Sequence, residues 1–379
     1  MKIVRTTYLS IGSNQGNKLD NLQLAIDEIN RFIGHVIIIS SVYKTKSWGF
    51  DGDDFYNICL KISSSLSPEK MIRSVLKIEN KLGRTRHPEN TYSNRVIDID
   101  ILLFDDEIIF YNDLKVPHPE MLNRKFVLVP LTEIAPNVIH PIAKKTILIC
   151  LQQCKDDQAI EKIDATLTRP ISLVEKFNYI AIEGNIGSGK TSLANRIGDD
   201  YNAKLVLERF ADNPFLPKFY ADEDRYAFPL EMSFLADRYH QLTDGLAQFD
   251  LFKNFIVSDY FIFKSLIFAQ VTLPKEEYSL YRKMFDIMYK EIAKPDVYVF
   301  LYQNTERLIE NIKLRGREYE QNIQAEYLDK IHKGYLSFIK SKDELNPLII
   351  DVSELDFVNN EEDYQIILKQ ILDFNPETN

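Results

Sequence analysis

Apolar and polar positions follow two different patterns, one in each half of the chain. In the first half, the apolar segments TTYLSIGSN, HVIIISSVYKT, FYNICLKIS and RVIDIDILLF are short enough for strands. Two other segments repeat apolar residues at helical spacing, one from Leu19 to Ile33 and one from Ser67 to Gly83, where Pro68 suits the first helical position. Strands interrupted by two amphipathic helices, without regular alternation, predict an α+β ferredoxin-like sandwich.

The second half alternates regularly between strand and helix patterns. Apolar segments that predict strands are YIAIEG, KLVLE, FIVSD, VYVFLY and LIIDV, and helical segments such as KTSLANRIG separate them. This order predicts an α/β P-loop kinase fold with a five-stranded parallel sheet between helices. Ligands of such sheets bind at the carboxyl ends of the strands, where Gly184, Glu208 and Asp259 stand.

The length of the chain supports a division into two domains. A chain of 379 residues is too long for one ordinary core. The segment KDDQAIEKIDATLTRPISLVEK between the two patterns is polar, contains Pro170 and lacks sustained periodicity. We therefore expect a first domain over residues 1–160, a linker over 161–177 and a second domain over 178–379.

Charge and composition restrict the classes of partner. The chain has 46 basic and 56 acidic residues, a formal net charge of −10, which disfavours polynucleotide binding but permits a local basic pocket for a phosphorylated metabolite. No segment approaches the roughly 20 consecutive apolar residues of a membrane span. Three cysteines are too few for a disulfide framework. We expect a soluble, cytoplasmic protein that binds neither nucleic acid nor membrane.

One motif in the second half is specific for phosphate binding. Residues 184–191 read GNIGSGKT and match G-x-x-x-x-G-K-[ST] between a predicted strand and a predicted helix. The glycines let backbone N–H groups face phosphate oxygens, Lys190 adds a positive charge, and the Thr191 hydroxyl can bind Mg²⁺. The predicted ATP-binding loop comprises Gly184, Asn185, Ile186, Gly187, Ser188, Gly189, Lys190 and Thr191.

Charged residues beyond this loop suggest a phosphoryl-transfer site. Glu208, at a strand end, can accept a proton from an attacking hydroxyl, and Asp259, at another, can hold the hydration shell of the metal. Arg315 and Arg317 can stabilise charge on the transferring oxygens, as in a closing lid. The ordinary alternatives are a solvated acid, a helix N-cap and a charged helix face.

The segments that follow the loop point to one family. LVLERFADNPFLPKFY, FPLEMSFLADRYHQL, SDYFIFKSLIFA and LRGREYEQNIQAEYLDKIHKGY occur in this order, and residues 178 to about 375 resemble the deoxynucleoside kinase family. The resemblance implies phosphorylation of a deoxynucleoside 5′-hydroxyl by Mg-ATP, with Glu208 as general base, Arg315 and Arg317 in the lid, and a homodimer through helices of this half. The implied substrate contacts are Tyr220 and Glu320 for the sugar 3′-hydroxyl, and Glu231 and Arg238 for the base edge.

The chain departs from that family at two positions. Glu231 stands where glutamine is frequent, and a glutamate that offers only acceptors suits an exocyclic amino group. Tyr260 stands where an arginine usually follows the acid, and Arg209 or a lid arginine is a candidate to replace it.

Two carboxylates in the first half are spaced for metal binding. Asp98 and Asp100 lie two residues apart on a predicted strand and therefore project from the same face. Such a pair suits one or two Mg²⁺ ions beside a triphosphate. The alternative is an exposed acidic face whose neighbouring residues, Ile97, Ile99 and Ile101, turn inward.

The surrounding segments resemble a second family. YLSIGSNQGN, SSVYKTKSWG, FYNICL, GRTRHPENTYSNRVIDIDILLF and VPHPEMLNRKFVLVPLTEIAP are similar to 6-hydroxymethyl-7,8-dihydropterin pyrophosphokinase over residues 5 to about 155. The resemblance implies transfer of the β,γ-pyrophosphoryl group of ATP to the pterin hydroxymethyl group, release of AMP, and Mg²⁺ on Asp98 and Asp100. The implied pterin pocket comprises Thr45, Phe55, Asn57, Tyr92 and Phe126. The implied ATP contacts are Glu79, Arg84, Arg86, Arg95, His118 and Arg124, with Arg86 and Arg95 also catalytic.

The leading hypothesis is a bifunctional transferase that acts in folate biosynthesis and in deoxynucleoside salvage. One alternative makes the first half a non-catalytic ligand sensor that regulates the kinase. Another assigns a different small-molecule kinase activity, such as nucleoside monophosphate phosphorylation, to the second half. The preferred base of the nucleoside is left open by the sequence.

Overall fold

The chain forms two compact units in the computed structural model, residues Met1–Pro170 and Ile171–Asn379. The structure describes residues 4–84, 93–111, 114–209, 213–247, 253, 255–317, 320–321, 323–341, 345 and 347–375. In the described part, no helix is both long and apolar enough to cross a membrane.

The first unit is built on an antiparallel sheet in the order β5-β1-β4-β3-β8, with β2 also paired to β4. Helices α1 and α2 pack on one face of this sheet and α3 and α4 on the other. This arrangement agrees with the α+β sandwich expected from the sequence. The elements are β1 (Arg5–Ser13), α1 (Lys18–Phe32), β2 (His35–Ile39), β3 (Tyr43–Thr45), β4 (Phe55–Ser64), α2 (Pro68–Lys81), β5 (Asp98–Phe104), β6 (Ile109–Tyr111), β7 (Leu114–Val116), α3 (Lys125–Ile134), α4 (Ile147–Gln152) and β8 (Glu161–Lys162).

The two helices predicted in this unit form where their sequence signals lie. The Ser67 hydroxyl accepts a hydrogen bond from Lys70 N, which caps α2, and Pro68 occupies its first turn. Gly83 follows the helix at a φ of +94°, a conformation that favours glycine. The apolar pattern did not reveal α3 and α4, because α3 contains Pro130 and α4 has only 6 residues.

The segment expected to link the domains, residues 161–177, is divided between the units. Residues Glu161–Lys162 form β8, which pairs with β3 at the edge of the first sheet. On the other side of Pro170, the Ser172 side chain caps α5, and Leu173 and Phe177 are buried in the core of the second unit. Apolar residues of this segment pack against the cores of both units, and periodicity alone does not reveal these tertiary contacts.

The second unit is built on a parallel five-stranded sheet in the order β10-β11-β9-β12-β13, as the sequence predicted. Every residue of the central strand β9 is buried, because helices cover both faces of the sheet. The elements are α5 (Leu173–Lys176), β9 (Tyr179–Gly184), α6 (Lys190–Tyr201), β10 (Lys204–Val206), α7 (Leu216–Ala221), α8 (Glu223–Ala247), β11 (Ile256–Ser258), α9 (Phe263–Thr272), α10 (Lys275–Tyr289), β12 (Val297–Tyr302), α11 (Thr305–Arg315), α12 (Ala325–Lys340), β13 (Pro347–Asp351) and α13 (Glu361–Asp373).

Candidate active sites

The glycine-rich loop of the second unit joins the central strand β9 to α6. Gly187 has a φ of +84°, and a Cβ added there would lie 2.8 Å from the carbonyl oxygen of Leu308. Two side-chain hydrogen bonds hold the loop in place. Within the loop, Lys190 Nζ donates to Asn185 O over 2.7 Å, and Asn185 Nδ2 donates to Leu328 O, outside the loop, over 2.8 Å. The loop is therefore a fixed turn that opens at the start of a helix, a geometry that binds phosphate.

Asp259 connects this loop to the neighbouring strand end. Its Oδ2 accepts a hydrogen bond from Thr191 Oγ1, and its Oδ1 accepts one from Glu208 N over 2.8 Å. The parallel order of β10, β11 and β9 brings the three residues together, because the carboxyl ends of adjacent strands share one edge of the sheet.

The Glu208 carboxylate lies between two cations, with 10% of its side chain exposed. Oε1 accepts two hydrogen bonds from Arg238, at 2.9 Å from Nε and 2.6 Å from Nη2, while Oε2 accepts one from Lys264 Nζ over 2.5 Å. Burial by itself would raise the pKa of Glu208, but the charges and hydrogen bonds of Lys264 and Arg238 lower this pKa well below its ordinary value. The carboxylate is therefore ionised, and its orientation is fixed on both sides.

Lys264 was not among the residues singled out from the sequence. It lies near the start of α9, and most of its neighbours in sequence are buried apolar residues, so its pattern is that of a core helix. Arg209, one of the candidates to replace the arginine that usually follows the acid at Asp259, is exposed. Arg238, which the resemblance assigned to the base edge, bonds to Glu208 and also to Ser265 Oγ over 2.7 Å.

Two cavities meet at the loop. The inner cavity is lined by apolar and aromatic side chains together with acidic and basic ones, and the outer cavity contains more of the phosphate loop. The inner cavity is lined by Ile186, Gly187, Lys190, Thr191, Glu208, Leu216, Phe219, Leu230, Glu231, Phe234, Arg238, Asp259, Lys264, Phe268, Arg315, Arg317, Glu320 and Tyr327. The outer cavity is lined by Gly187, Ser188, Gly189, Lys190, Thr191, Ser192, Gln303, Arg307, Asn311, Leu314, Arg315, Arg317, Leu355, Asp356, Phe357 and Val358.

The residues common to both cavities are those suited to phosphate. They are Gly187, Lys190, Thr191, Arg315 and Arg317. A ligand in one cavity thus faces a ligand in the other across a basic, glycine-lined boundary. This arrangement suits transfer of a phosphoryl group between two bound molecules.

The two lid arginines share one buried acid. Arg315 and Arg317 both form ion pairs with Glu320, the latter over 3.2 Å, and Glu320 itself is buried. Glu320 was expected to hold a sugar hydroxyl together with Tyr220. Tyr220 lies in α7, and its side chain is outside the described residues.

Glu231 lines the inner cavity with only 3% of its surface exposed. Its Oε1 accepts a hydrogen bond from Thr272 Oγ1 over 3.2 Å, whereas Oε2 finds no hydrogen-bond partner among the residues that the structure describes. Burial raises the pKa of Glu231 to about 7. A buried polar atom without a partner, in the wall of a cavity, marks a position where a ligand is expected to bind.

In the first unit, Asp98 and Asp100 occupy one face of β5, as the sequence predicted. They pair in register with Gly12 and Ser10 of β1, and the alternate residue Ile99 is buried. Burial and the neighbouring Asp98 raise the pKa of Asp100. Both carboxylates line a cavity, so they do not form a merely solvated face.

Basic side chains converge on this pair. Arg84 and Arg95 form ion pairs with different oxygens of Asp98, the latter over 2.8 Å, and Arg84 also pairs with Glu79. Glu79 is buried and accepts a hydrogen bond from Ile99 N over 2.9 Å, so it orients Arg84 from α2. The two guanidinium groups define a cationic wall suited to a phosphate chain.

His118 and Arg124 add basic groups near Asp100. His118 Nε2 lies 3.9 Å from Asp100 Oδ1, and burial, with the charge of Arg124, lowers the pKa of His118 to about 4. The imidazole is therefore neutral at neutral pH. Arg86, also assigned to this group, lies outside the described residues.

An aromatic pocket adjoins the carboxylates. Asn57 Nδ2 donates to Thr45 Oγ1 over 2.9 Å within the buried wall, and the rings of Phe55 and Phe126 line the same cavity. A Cβ at Gly12 would lie 2.9 Å from Asn57 Oδ1, so the wall needs a glycine there. The cavity is lined by Ser10, Gly12, Thr45, Lys46, Trp48, Phe50, Phe55, Asn57, Arg95, Asp98, Asp100, Arg124 and Phe126.

Some of these lining residues were not singled out from the sequence, and Tyr92, which was, lies outside the described residues. Trp48 is the only tryptophan of the chain, and its ring centroid lies 6.1 Å from that of Phe126. A single tryptophan in the polar segment KTKSWG is a signal that the sequence does offer. Ser10 gave no such signal, because its place opposite Asp100 depends on strand register.

The oxygen donors in both units fit a hard cation. In the described residues no group of three or more His, Cys, Asp and Glu side chains is arranged to hold a metal ion. Mg²⁺ needs only one or two protein oxygens when phosphates and water supply the rest. Asp98 and Asp100 in the first unit, and Thr191 and Asp259 in the second, offer such oxygens beside basic groups.

Comparisons with known proteins assign each unit to a family. The family model described as "Deoxynucleoside kinase" matches residues 180–375, and that described as "7,8-dihydro-6-hydroxymethylpterin-pyrophosphokinase" matches residues 8–136. A deoxyguanosine kinase of Bacillus subtilis is 34% identical over 197 residues, which is 51% of this chain and 95% of that protein. A 2-amino-4-hydroxy-6-hydroxymethyldihydropteridine pyrophosphokinase of Aquifex aeolicus is 43% identical over 141 residues, 37% of this chain and 86% of that protein.

A solved structure of deoxyadenosine kinase from M. mycoides, with dCMP and dCDP bound, is 25% identical to this chain. It aligns with a TM-score of 0.44 and covers 51% of this chain and 97% of its own. The two family matches make the chain a transferase with two catalytic domains. The chain belongs to the deoxynucleoside kinase family through its second unit and to the pterin pyrophosphokinase family through its first, and it is a bifunctional kinase.

Proposed function

We propose that the second unit transfers the γ-phosphoryl group of ATP to the 5′-hydroxyl of a deoxynucleoside. The shared boundary of the two cavities carries this proposal: ATP would occupy the outer cavity and the nucleoside the inner one. Glu208 would accept the hydrogen bond of the attacking hydroxyl and align it, while Lys190, Arg315 and Arg317 stabilise the charge of the transferring group.

For the first unit, we propose transfer of the β,γ-pyrophosphoryl group of ATP to 6-hydroxymethyl-7,8-dihydropterin, with release of AMP. The pterin ring would lie between Phe55 and Phe126, with its polar edge on Asn57. The phosphate chain would lie along Arg84, Arg95 and Arg124, with Arg86 and His118 as further contacts. This proposal rests on the aromatic pocket and the carboxylate pair, which line one cavity.

Mg²⁺ is proposed as the cofactor of both reactions. Asp98 and Asp100 would hold it in the first unit, and Thr191 and Asp259 in the second. A bound Mg²⁺ neutralises charge on the phosphates. The protein side chains orient the two reactants and exclude water.

Deoxyguanosine is the nucleoside that we propose for the inner cavity. Guanine presents two N–H donors on one edge, N1–H and the 2-amino group, and an ionised Glu231 offers two acceptors. The relatives from Bacillus subtilis and Lactobacillus acidophilus named deoxyguanosine kinase support this choice. The experiment is a comparison of kcat/KM for the four deoxynucleosides with ATP as phosphoryl donor.

Separate sites predict separable losses of activity. Asp98→Ala should abolish AMP formation with pterin and leave deoxynucleoside phosphorylation unchanged, and Lys190→Ala should do the reverse. Tight pterin binding by the wild-type protein without AMP formation would favour a sensor role for the first unit. Phosphorylation of nucleoside monophosphates in preference to nucleosides would favour the other kinase class.

We also propose a homodimer through the second unit. Three apolar side chains are exposed along one stripe of α10, spaced four and three residues apart: Leu280, Met284 and Ile287. An exposed apolar stripe on a helix suits a protein interface.

A further inference from the structure

Lys264 carries a positive charge in a position where a charge is costly. It lies near the start of α9, between the buried residues Phe263 and Ser265, with 7% of its surface exposed. An ammonium group removed from water destabilises the fold unless it is paired, and replacement of a buried ion pair by apolar residues is often neutral or stabilising. Stability is therefore a weak reason for a lysine here.

The contact of Lys264 lies at the reacting end of the inner cavity. Lys264 Nζ bonds to Glu208 Oε2 over 2.5 Å, and both side chains line the cavity close to the loop residues Lys190 and Thr191. The bond holds the one carboxylate oxygen that Arg238 does not hold.

One short segment fixes Glu208 at two points. Asp259, at its start, accepts a hydrogen bond from the backbone N–H of Glu208, and Lys264, at its end, bonds to the side chain. The same Asp259 accepts a hydrogen bond from Thr191 of the phosphate loop. The segment from Asp259 to Lys264 therefore sets the position of the acid relative to the phosphate loop.

We propose that Lys264 is a positioning residue for nucleoside phosphorylation, which fixes the Glu208 carboxylate in the orientation that aligns the attacking hydroxyl. The inference rests on the proposed role of Glu208. Alignment acts on the reaction step more than on binding, because the apolar and aromatic side chains of the cavity would hold the nucleoside without Lys264.

The test uses the full-length protein with deoxyguanosine and Mg-ATP. Lys264→Met, which keeps the length and removes the charge, should lower kcat about 100-fold while KM for deoxyguanosine changes less than about 3-fold. Lys264→Arg, which keeps the charge, should recover at least about 10-fold of that loss. A kcat of Lys264→Met close to that of the wild type, or a loss confined to KM, would overturn the proposal.

A double variant tests whether Lys264 acts through Glu208. Glu208→Gln combined with Lys264→Met should be no slower than Glu208→Gln alone, because the group that Lys264 positions is already lost. This double variant removes both charges of the Lys264–Glu208 pair. It can therefore be measured even if Lys264→Met alone does not fold. If the fold-losses of kcat in the two single variants multiplied in the double variant, the two residues would act independently, which would contradict the proposal.

Two outcomes separate this proposal from the proposed function. If Glu208→Gln lowers kcat and Lys264→Met leaves it at the wild-type value, only the role of Lys264 is overturned. A Glu208→Gln variant with wild-type kcat removes the assigned role of Glu208, and the role of Lys264 with it. AMP formation with pterin, measured on the same samples, should stay unchanged in all variants.

Discussion

Asn57 donates a hydrogen bond from Nδ2 to Thr45 Oγ1 over 2.9 Å, across the antiparallel pair of β4 and β3. The bond fixes which end of the Asn57 amide faces the cavity, because a side-chain amide can otherwise rotate by half a turn. The polar edge that a pterin would meet is therefore set by a residue on the neighbouring strand.

Loss of this bond should weaken recognition of the pterin. Thr45→Val keeps the shape of the side chain but removes the acceptor, so we expect KM for 6-hydroxymethyl-7,8-dihydropterin to rise about 10-fold. Thr45→Ser keeps the hydroxyl and should stay within about 3-fold of the wild type. Steady-state kinetics of AMP release measures both. If Thr45→Val and Thr45→Ser raised KM equally, the Thr45 hydroxyl would not contribute to recognition of the pterin.

Base selection in the second unit should depend on pH through Glu231. Burial raises the pKa of Glu231 to about 7. Above that pH, the ionised carboxylate accepts from both N–H groups of guanine, whereas below it the neutral acid donates one hydrogen and suits adenine. We expect the ratio of kcat/KM for deoxyguanosine over deoxyadenosine to rise between pH 6 and pH 8. The ratio cancels ionisations that affect both substrates equally.

Glu231→Gln provides the matched control for this pH dependence. Glutamine does not titrate and presents one donor and one acceptor at every pH. The ratio should then be independent of pH and, at pH 8, about 10-fold lower than in the wild type. A ratio that still changes with pH in this variant would place the titrating group elsewhere.

Crowding at Gly187 makes the phosphate loop sensitive to a single methyl group. Gly187→Ala would combine a φ of +84° with a contact of 2.8 Å to the backbone oxygen of Leu308, so the loop must shift. We expect KM for ATP in nucleoside phosphorylation to rise at least about 10-fold. Gly316→Ala, at a φ of +73° with nothing within 4 Å of the added Cβ, should change it much less. A similar rise of KM for ATP in both variants would assign the effect to backbone strain and not to the contact with Leu308.

The apolar stripe on α10 predicts the oligomeric state. Leu280→Glu combined with Ile287→Glu places charges on the stripe, so we expect a monomer where the wild type is a dimer in light scattering at micromolar concentration. Ser279→Glu adds a charge to an exposed position of α10 away from this stripe and should leave the dimer intact. A wild-type monomer under these conditions would refute the interface.

Much of both sites could be predicted because it depends on spacing within one segment. The side chains of a strand alternate with a period of two, so Asp98 and Asp100 had to share a face. Residues 184–191 had to form a turn between a strand and a helix, because three glycines and the flanking apolar pattern permit little else. The start of α2, with its cap at Ser67 and Pro68 in the first turn, could be predicted for the same local reason.

Contacts between distant segments were decided only by the tertiary structure. Lys264 meets Glu208 across 56 positions of sequence, and β8 joins the first sheet from a segment expected to be a linker. Sequence periodicity reports which face of an element is apolar, but it does not report which element packs beside it. The sequence therefore determined the two phosphate-transfer chemistries and most of the helices and strands that carry them. Strand order and register decided which cation holds each acid and where the two cavities meet. These features depend on packing between segments far apart in the chain, which sequence patterns do not report.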